Sequence, residues 1–322
     1  MTTGVPHLRA LWERARAERS GAKSDATAWE RDTTAIYGLG LNLAETFAYL
    51  YNDAETFERF EAWVLERNGG AIAPARAERI NAAIEGRFAP AQIEASPPPL
   101  DARDLAHFDE HGYVIVRSAV PAEDAANAER AIWEFVRADP DDPETWYGDA
   151  HGHSIWIPLL RHEAVVKNRS AGKIARAFAQ LWGRDDLWTT VDQCGFNPPE
   201  RAGWQFPGPH LHWDVSLAPP IPFGLHGVLY LTDTPEEQGA FTCVPGFHRR
   251  AETWLASLGP GADPRAFDIA TLGPKHIAAN AGDFIIWHDA LPHGSSPNRG
   301  TRPRIVQYIA MSPAIPDTRP WI

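Results

Sequence analysis

From residue 187 onward the chain is built of short runs rich in β-branched and aromatic residues, each bounded by proline or glycine. Five such runs stand out: LWTTVDQCGF, GLHGVLYLTD, GAFTCVPG, GDFIIWHD and RIVQYIAMS. Runs of this length and spacing predict antiparallel strands joined by tight turns, as in a sandwich or barrel, and disfavour a parallel sheet with crossover helices. We expect a β core here and no further helix.

The part of the chain before residue 187 predicts a different organisation. Over residues 44–70, apolar side chains recur at spacings of three and four and end at Gly69-Gly70, which predicts one amphipathic helix. The proline-rich segment 95–104 favours an extended connector, because proline cannot continue a helix. Beyond it, three further elements are predicted: a strand over 112–120 and helices over 121–138 and 170–183. We therefore expect two domains: a helical N-terminal extension, 1–100, and a β-rich domain, 101–322.

Composition excludes several classes of protein. The chain has 42 acidic and 30 basic residues and a net charge of −12, whereas binding to a phosphate backbone or an anionic membrane needs a basic face. Its N-terminus lacks the apolar core of a secretory signal, so we expect a cytoplasmic protein with no membrane or nucleic-acid partner. Cys194 and Cys243 are too few for a disulfide framework. Phosphate-binding glycine loops and serine-hydrolase elbows are absent from the sequence.

Candidate metal ligands occur in the stretch PGPHLHWDVSL, residues 207–217. His212 and Asp214 stand at positions i and i+2, which project to the same side of an extended strand. A third ligand is available downstream in WHDALPHGS, which contains both His288 and His293. Two imidazoles and one carboxylate form the facial triad of non-haem Fe(II) oxygenases and leave positions open for a cosubstrate and O₂, although zinc binds the same ligand types.

Local sequence favours His293 over His288 as the third ligand. The run GDFIIWHD alternates as a strand and Pro292 interrupts it, so the two histidines are separated by a turn and should not both reach one ion. Gly294 and Ser295 follow His293 and allow the backbone to pass close to the cosubstrate. Four other histidines are expected to have structural or surface roles: His210, His226, His248 and His276.

From residue 101 to residue 315 the sequence resembles the phytanoyl-CoA dioxygenase-like (PhyH) family of Fe(II)/2-oxoglutarate-dependent oxygenases. The matching segments occur in the family's order: FDEHGYVIVRSAV, FNPPE, HWD, GAFTCVPGFHRR and GDFIIWHDALPHGSSPNRGTRPR. The sequence departs from the family at Asn197, where lysine is common, and at Phe247, where serine is. The resemblance implies a mainly β chain with flanking helices (α+β), whose core is a double-stranded β-helix (jelly-roll, cupin-like), preceded by the helical N-terminal extension.

The same resemblance implies a role for each site residue. The iron ligands would be His212, Asp214 and His293. Arg304, eleven residues after His293, would pair with the distal carboxylate of 2-oxoglutarate, because a guanidinium matches a carboxylate through two hydrogen bonds. Ser295 would donate to the same carboxylate, and Gln193 would help to hold the cosubstrate.

The implied reaction is hydroxylation of an unactivated C–H bond of a small organic molecule, using Fe(II), O₂ and 2-oxoglutarate and releasing succinate and CO₂. Asp214 disfavours halogenation, since halogenases of this chemistry replace the carboxylate by alanine or glycine. Desaturation and ring formation stay open. So does a zinc-dependent hydrolase with the same ligands, which would not need Arg304. A non-catalytic binding protein with a vestigial jelly roll is the other alternative, disfavoured because all three ligands and the arginine are present. Neither the primary substrate nor the oligomeric state follows from the sequence.

Overall fold

The computed structural model describes the following residues: 2–23, 26–87, 97–148, 154–259 and 261–314. They form two compact units. The first takes in the described residues of the ranges 1–95, 182–191 and 310–318, and the second those of 96–181 and 192–309. The expected boundary near residue 100 stays a prediction. None of the helices within these described ranges combines the length and apolarity that a membrane span requires.

The helices and strands of the described residues follow in chain order. The α-helices are α1 His7–Arg19, α2 Trp29–Gly38, α3 Leu43–Asn52, α4 Phe57–Arg67, α5 Pro74–Ile84, α6 Ala102–His111, α7 Ala122–Val136, α8 Glu163–Arg169, α9 Gly172–Trp182 and α10 Ala251–Ser257. The strands are β1 Tyr113–Val116, β2 Trp156–Ile157, β3 Leu187–Thr189, β4 Cys194–Asn197, β5 Leu225–Tyr230, β6 Phe241–Cys243, β7 Lys275–Ile277, β8 Phe284–His288, β9 His293–Gly294, β10 Arg304–Tyr308 and β11 Met311–Pro313.

In the first unit, helices α1 to α5 bury one apolar cluster, and β3 pairs with β11 in a two-stranded sheet. The single helix predicted over 44–70 is wrong, because α3 and α4 are separate helices. Thr56 adopts an extended backbone and its hydroxyl accepts a hydrogen bond from Arg59 N at 3.2 Å, so a new helix begins there. The apolar spacing continues across the break, since Leu50 and Phe60 are buried in the same cluster.

The second unit contains two antiparallel sheets, which confirms the prediction of antiparallel strands. One sheet has six strands in the order β1-β8-β5-β10-β4-β2, and the other has three in the order β7-β6-β9. The expectation of no helix after residue 187 is wrong, because α10 lies between β6 and β7. Helix α6 was also not predicted. It begins at Ala102, inside the segment 95–104 that is predicted to be extended, where Asp101 and Asp104 form a reciprocal capping box.

One face of the six-stranded sheet carries the polar residues that matter for function. Side chains two apart on a strand share a face, so His226 and Tyr230 of β5 lie on the same side. Register places Trp287 of β8 opposite His226, and Val306 of β10 opposite Tyr230, which puts Arg304 on that side as well. Tyr230, Trp287 and Val306 are buried together with residues of the three-stranded sheet. We call this side of the six-stranded sheet the inner face.

Candidate active site

The three candidate metal ligands meet where the segment after residue 210 pairs with β9. His212 N donates to His293 O at 2.9 Å, and His293 N donates to His212 O at 3.0 Å. This isolated antiparallel bridge sets the two imidazoles side by side, with ring centroids 4.8 Å apart. Asp214 follows two residues later. The pairing of two distant segments is therefore what brings the predicted ligands together.

The side-chain geometry fits a divalent cation. His212 Nε2 lies 3.2 Å from Asp214 Oδ1, and His293 Nε2 lies 3.2 Å from Asp214 Oδ2. One ligand atom from each residue can be chosen so that all three lie within 4.8 Å of one another. Adjacent ligand atoms around an octahedral ion with bonds of about 2.1 Å are about 3 Å apart, which the two histidine–aspartate distances match. Nitrogen and carboxylate ligands without a thiolate suit Fe(II).

Each imidazole is oriented by a backbone carbonyl two residues before it. His212 Nδ1 lies 2.7 Å from His210 O, and His293 Nδ1 lies 2.9 Å from Leu291 O. A carbonyl oxygen only accepts hydrogen bonds, so both Nδ1 atoms carry the proton. In the neutral form that binds a metal, the lone pair of each ring is then on Nε2, the atom that faces Asp214. Such a bond fixes the tautomer that a metal ligand requires.

Electrostatics keep the carboxylate ionised. Burial would raise the pKa of Asp214, but its hydrogen bonds with His212 and His293 outweigh this effect and hold the pKa far below its usual range. For His212, burial lowers the pKa, yet the Asp214 carboxylate raises it by a larger amount. The group thus concentrates negative charge at Asp214 between two basic rings, which is the charge distribution a cation site needs.

Arg304 is buried close to this group with unused hydrogen-bonding capacity. It is 1% exposed, and its Nη1 donates to Ser295 Oγ at 3.1 Å. Its Nε and Nη2 are buried and make no hydrogen bond of normal geometry with a described residue, although, against the lowering effect of burial, the hydroxyl groups of Tyr230 and Tyr308 raise the pKa of the guanidinium. A buried guanidinium with free donors requires an acceptor, and a carboxylate accepts through two parallel bonds. Ser295 is two residues from His293, so this potential carboxylate site adjoins the candidate ligands.

Gln193 and Asn197 stand on the strand that pairs with β10. Gln193 immediately precedes β4, and its backbone oxygen accepts a bond from Tyr308 N at 3.1 Å. The described contacts do not join its side chain to Arg304 or Ser295. Asn197 lies opposite Arg304, and its Nδ2 donates to the backbone oxygen of Ser296 at 3.1 Å. Its own Oδ1 is buried without a partner in the described residues.

His288 lies outside the group of candidate ligands. Its Nδ1 accepts a hydrogen bond from Ala290 N at 3.0 Å, so that atom carries no proton. The ring packs on Phe223 and His248, with centroids 5.0 and 5.3 Å away. Burial lowers the pKa of His288 to about 4. It is therefore a neutral ring at neutral pH and does not contact Asp214 or His293 in the described structure.

Two features of the site were not predicted from the sequence. The guanidinium of Arg265 donates to Trp213 O at 3.0 Å and to Val215 O at 2.7 Å, the carbonyls on either side of Asp214. Arg265 lies 51 residues beyond Asp214 in a 3-10 turn, so no spacing rule connects them. The second feature is an ion pair of His226 and Asp289. Its only sequence signal is a histidine in an otherwise apolar strand.

Comparison with known proteins gives the family. The sequence profile of the family described as Phytanoyl-CoA dioxygenase (PhyH) matches residues 108–306, more than half of the chain. A "Putative phytanoyl-CoA dioxygenase" of Dictyostelium discoideum is 22% identical over 258 residues, covering 64% of this chain and 74% of that protein. "Ava biosynthesis cluster protein O" of Aspergillus versicolor is 22% identical over 238 residues, covering 64% and 76%.

Solved structures resemble the chain more distantly. The epimerase SnoN, in complex with Fe3+, alpha ketoglutarate and nogalamycin RO, is 20% identical with a TM-score of 0.48, covering 68% of this chain and 85% of that chain. EctD from S. alaskensis with bound Fe is 19% identical with a TM-score of 0.47, covering 72% and 86%. The profile match confirms the resemblance seen in the motifs. The chain belongs to the phytanoyl-CoA dioxygenase family, and its cofactors are iron and 2-oxoglutarate.

Proposed function

We propose that this enzyme hydroxylates an unactivated C–H bond of a small organic molecule and releases succinate and CO₂. In this proposal Fe(II) is held by His212, Asp214 and His293, and the distal carboxylate of 2-oxoglutarate by Arg304 and Ser295. The two antiparallel sheets form the walls of a double-stranded β-helix around the site. The observation that carries the proposal is the buried Arg304 guanidinium, which has two donor atoms without a normal hydrogen bond to any described residue and lies next to the strand of His293.

The chain's own residues bind and orient, while the cofactors supply the oxidising chemistry. Bound iron and 2-oxoglutarate together activate O₂ for hydrogen removal from the substrate. Arg304 is buried, so its pairing with a carboxylate takes place away from water, where such a charge-assisted bond is strong. Ser295 Oγ accepts from Arg304 Nη1 and has its own proton left to donate to the same carboxylate. Gln193 is proposed to contact the cosubstrate from the neighbouring strand.

Arg304 also separates this proposal from a zinc-dependent hydrolase with the same three ligands. Hydrolysis needs a metal and water, and nothing in it calls for a buried arginine with free donors. Asp214 argues for hydroxylation over halogenation, because its carboxylate takes the position that a halide would need. Arg304 and Asp214, the residues used in these two arguments, both belong to the second unit.

The first test is of the metal ligands. We expect His293→Ala to lose bound Fe(II) and 2-oxoglutarate turnover, while His288→Ala, the matched control, keeps iron. Iron content of the purified variants and succinate formation from 2-oxoglutarate are the measurements. Loss of iron in His288→Ala with retention in His293→Ala would contradict the ligand assignment.

The second test is of the reaction. Succinate formation is measured across a library of small organic molecules with Fe(II), ascorbate and O₂, and each stimulating compound is then analysed by mass spectrometry. Hydroxylation predicts a product heavier by one oxygen atom, which comes from labelled O₂. A product that has lost two hydrogen atoms and gained no oxygen would show desaturation or ring formation instead.

A further inference from the structure

A histidine on β5, His226, forms an ion pair with a buried carboxylate, Asp289, which immediately follows β8. His226 Nδ1 lies 2.6 Å from Asp289 Oδ1, and Asp289 is 7% exposed. The aspartate is held against the backbone before β5, where its N donates to Gly224 O at 2.9 Å. A Cβ atom on Gly224 would come within 2.1 Å of Asp289 Oδ2, so the chain leaves space there for this carboxylate. The local backbone and the glycine at position 224 therefore hold the aspartate beside His226.

The surroundings of His226 are strongly acidic. Burial would lower its pKa, but the Asp289 carboxylate and the more distant Asp214 and Asp192 raise the pKa well above its usual value. His212 is the basic group that opposes them. The carboxylate partner at Nδ1 only accepts a hydrogen bond, so Nδ1 carries a proton. His226 is therefore a cation at neutral pH.

The other nitrogen of His226 is available. The side chain is 39% exposed, and its Nε2 makes no hydrogen bond with any described residue. The ring lies on the inner face, directly across from Trp287 in the register of β5 and β8, with ring centroids 6.1 Å apart. A protonated imidazole with one nitrogen engaged and the other free is a charged donor for an oxygen acceptor.

Trp287 supplies a second donor without an acceptor. It is 3% exposed, and its indole Nε1 is buried with no hydrogen-bond partner in the described residues. Its ring centroid is 5.0 Å from that of His293, so it lies between His226 and a candidate iron ligand. Buried donors are normally paired with an acceptor from protein, water or ligand. Among the described residues, neither of these two neighbouring donors, one of them charged, has a hydrogen-bond acceptor.

This position is separate from the one proposed for 2-oxoglutarate. The Arg304 guanidinium lies over the Tyr230 ring, 5.4 Å from its centroid. Tyr230 is four residues from His226 along β5, a distance of about 13 Å in a strand. The inner face thus has two cationic positions, with Arg304 near one end of β5 and His226 near the other. The Asp214 carboxylate raises the pKa of His226, so the His226 end of β5 is electrostatically coupled to Asp214.

We propose that His226 and Trp287 bind a carboxylate group of the primary substrate, and that Asp289 is a positioning residue that keeps His226 protonated and oriented. The inference rests on the proposed function and narrows its substrate to small carboxylic acids. It replaces the expectation that His226 has only a structural or surface role. Hydrogen bonds from His226 Nε2 and Trp287 Nε1 would hold the acid while another part of it faces the iron.

The test uses the full chain loaded with Zn(II) and saturating 2-oxoglutarate, whose binding is first measured by calorimetry. Benzoate and hexanoate, each paired with its primary amide, are titrated while the ¹⁵N resonances of the His226 ring are followed. We expect a protonated His226 near neutral pH, saturable shifts with the carboxylates and none with the amides. His226→Gln should weaken carboxylate binding about ten-fold or more, with 2-oxoglutarate affinity unchanged. His276→Gln, a change at an exposed histidine of β7, is the matched control.

Asp289→Asn provides a measurement that a purely structural role would not change. Without the carboxylate, the pKa of His226 should return towards its usual value, so benzoate binding should become about ten-fold weaker between about pH 6 and about pH 8. The unchanged protein should bind equally at both. A neutral His226 near pH 7, equal binding of amides, or no carboxylate binding at millimolar concentration would overturn the proposal. Failure of Zn(II) or 2-oxoglutarate to bind would count against the proposed function instead.

Discussion

At the scale of single residues, the site depends on side chains whose hydrogen bonds are only partly used within the protein. The Nδ1 atoms of His212 and His293 each donate a hydrogen bond to a backbone carbonyl, so Nε2 of each ring is the atom that can bind a metal. In Arg304, Nη1 donates a hydrogen bond to the hydroxyl of Ser295. In a packed interior most polar atoms are paired, so partial pairing at three neighbouring residues marks a place prepared for ligands.

The Arg304 side chain gives the most direct test of cosubstrate binding. Arg304→Gln should raise the Kd of 2-oxoglutarate by about 10- to 150-fold, because a charge-assisted pair is worth about 1.5–3 kcal/mol. Iron content should not change. Calorimetric titration with 2-oxoglutarate measures the effect. Arg302→Gln is the control, since Arg302 is half exposed and donates to the Pro140 carbonyl at 2.9 Å. Equal loss in both variants would move the carboxylate site away from Arg304.

Arg265 is expected to act on the metal through the backbone around Asp214. Arg265→Leu removes the donors to the carbonyls of Trp213 and Val215 and should weaken Fe(II) binding by about 10- to 100-fold, the usual cost of losing a group that orients a ligand. Competition with a metal chelator measures the affinity. Arg249→Leu, at an exposed arginine, should leave it unchanged. Unaltered affinity in Arg265→Leu would show that the loop holds its shape without the guanidinium.

At the scale of elements, the short strand β9 matters more than its two residues suggest. It pairs with β6 on one side, where Cys243 lies opposite His293, and with His212 on the other. Gly294 makes this close packing possible, because a Cβ atom there would come within 2.6 Å of His210 O. The glycine that follows the candidate ligand therefore accommodates the neighbouring backbone. The same backbone contact therefore determines both the position of His293 and the packing of β9.

Gly294→Ala should disturb both the fold and the metal site. Forcing a methyl group against the backbone of residue 210 is expected to lower the free energy of unfolding by about 1–3 kcal/mol and to reduce iron content. Chemical denaturation and metal analysis are the measurements. Gly148→Ala is the control, since its nearest obstacle is Thr145 O at 3.9 Å. A fully stable, iron-replete Gly294→Ala would mean that the two backbones separate at little cost.

At the scale of the whole molecule, the histidines of the second unit respond to pH in opposite directions. Burial lowers the pKa of His107, His248 and His288, in the last case to about 4, whereas the pKa of His226 is raised. A histidine with a lowered pKa binds fewer protons when folded. Its contribution to stability is complete above the ordinary value of 6.5 and is lost as the pH falls towards 4.

His288→Asn isolates one part of this acid sensitivity. The unchanged protein should lose stability between about pH 7.5 and about pH 5, and the variant should lose less, because one proton-binding difference is gone. At about 1.4 kcal/mol per pH unit below its ordinary pKa of 6.5, His288 accounts for at most about 2 kcal/mol between these two pH values. Denaturation midpoints of both proteins at the two pH values give the comparison. Equal losses would mean that His288 titrates alike in the folded and unfolded chain.

The sequence by itself determined the β character of the second half, the motif order of the family and the residues His212, Asp214, His293, Arg304 and Ser295 as candidates. Alternation, turn residues and the spacing of His212 and Asp214 are local properties, whereas Arg304 and Ser295 became candidates through the family resemblance. Prediction from the sequence was wrong at helix boundaries where two local signals pointed to different structures. Apolar spacing continued through residues 53–56 and concealed a helix break that Thr56 imposes. A proline-rich stretch similarly obscured the start of α6, whose N-cap residue is Asp101.

Only the tertiary structure decided which distant residues meet. The antiparallel bridge of His212 with His293, the contacts of Arg265 on either side of Asp214 and the pairing of His226 with Asp289 each join positions 50 or more residues apart. None of these has a characteristic spacing, because loop lengths between strands vary without changing the sheet. Burial likewise arises from packing between sheets. The burial of Arg304 supports the carboxylate site that the family motif had implied for it.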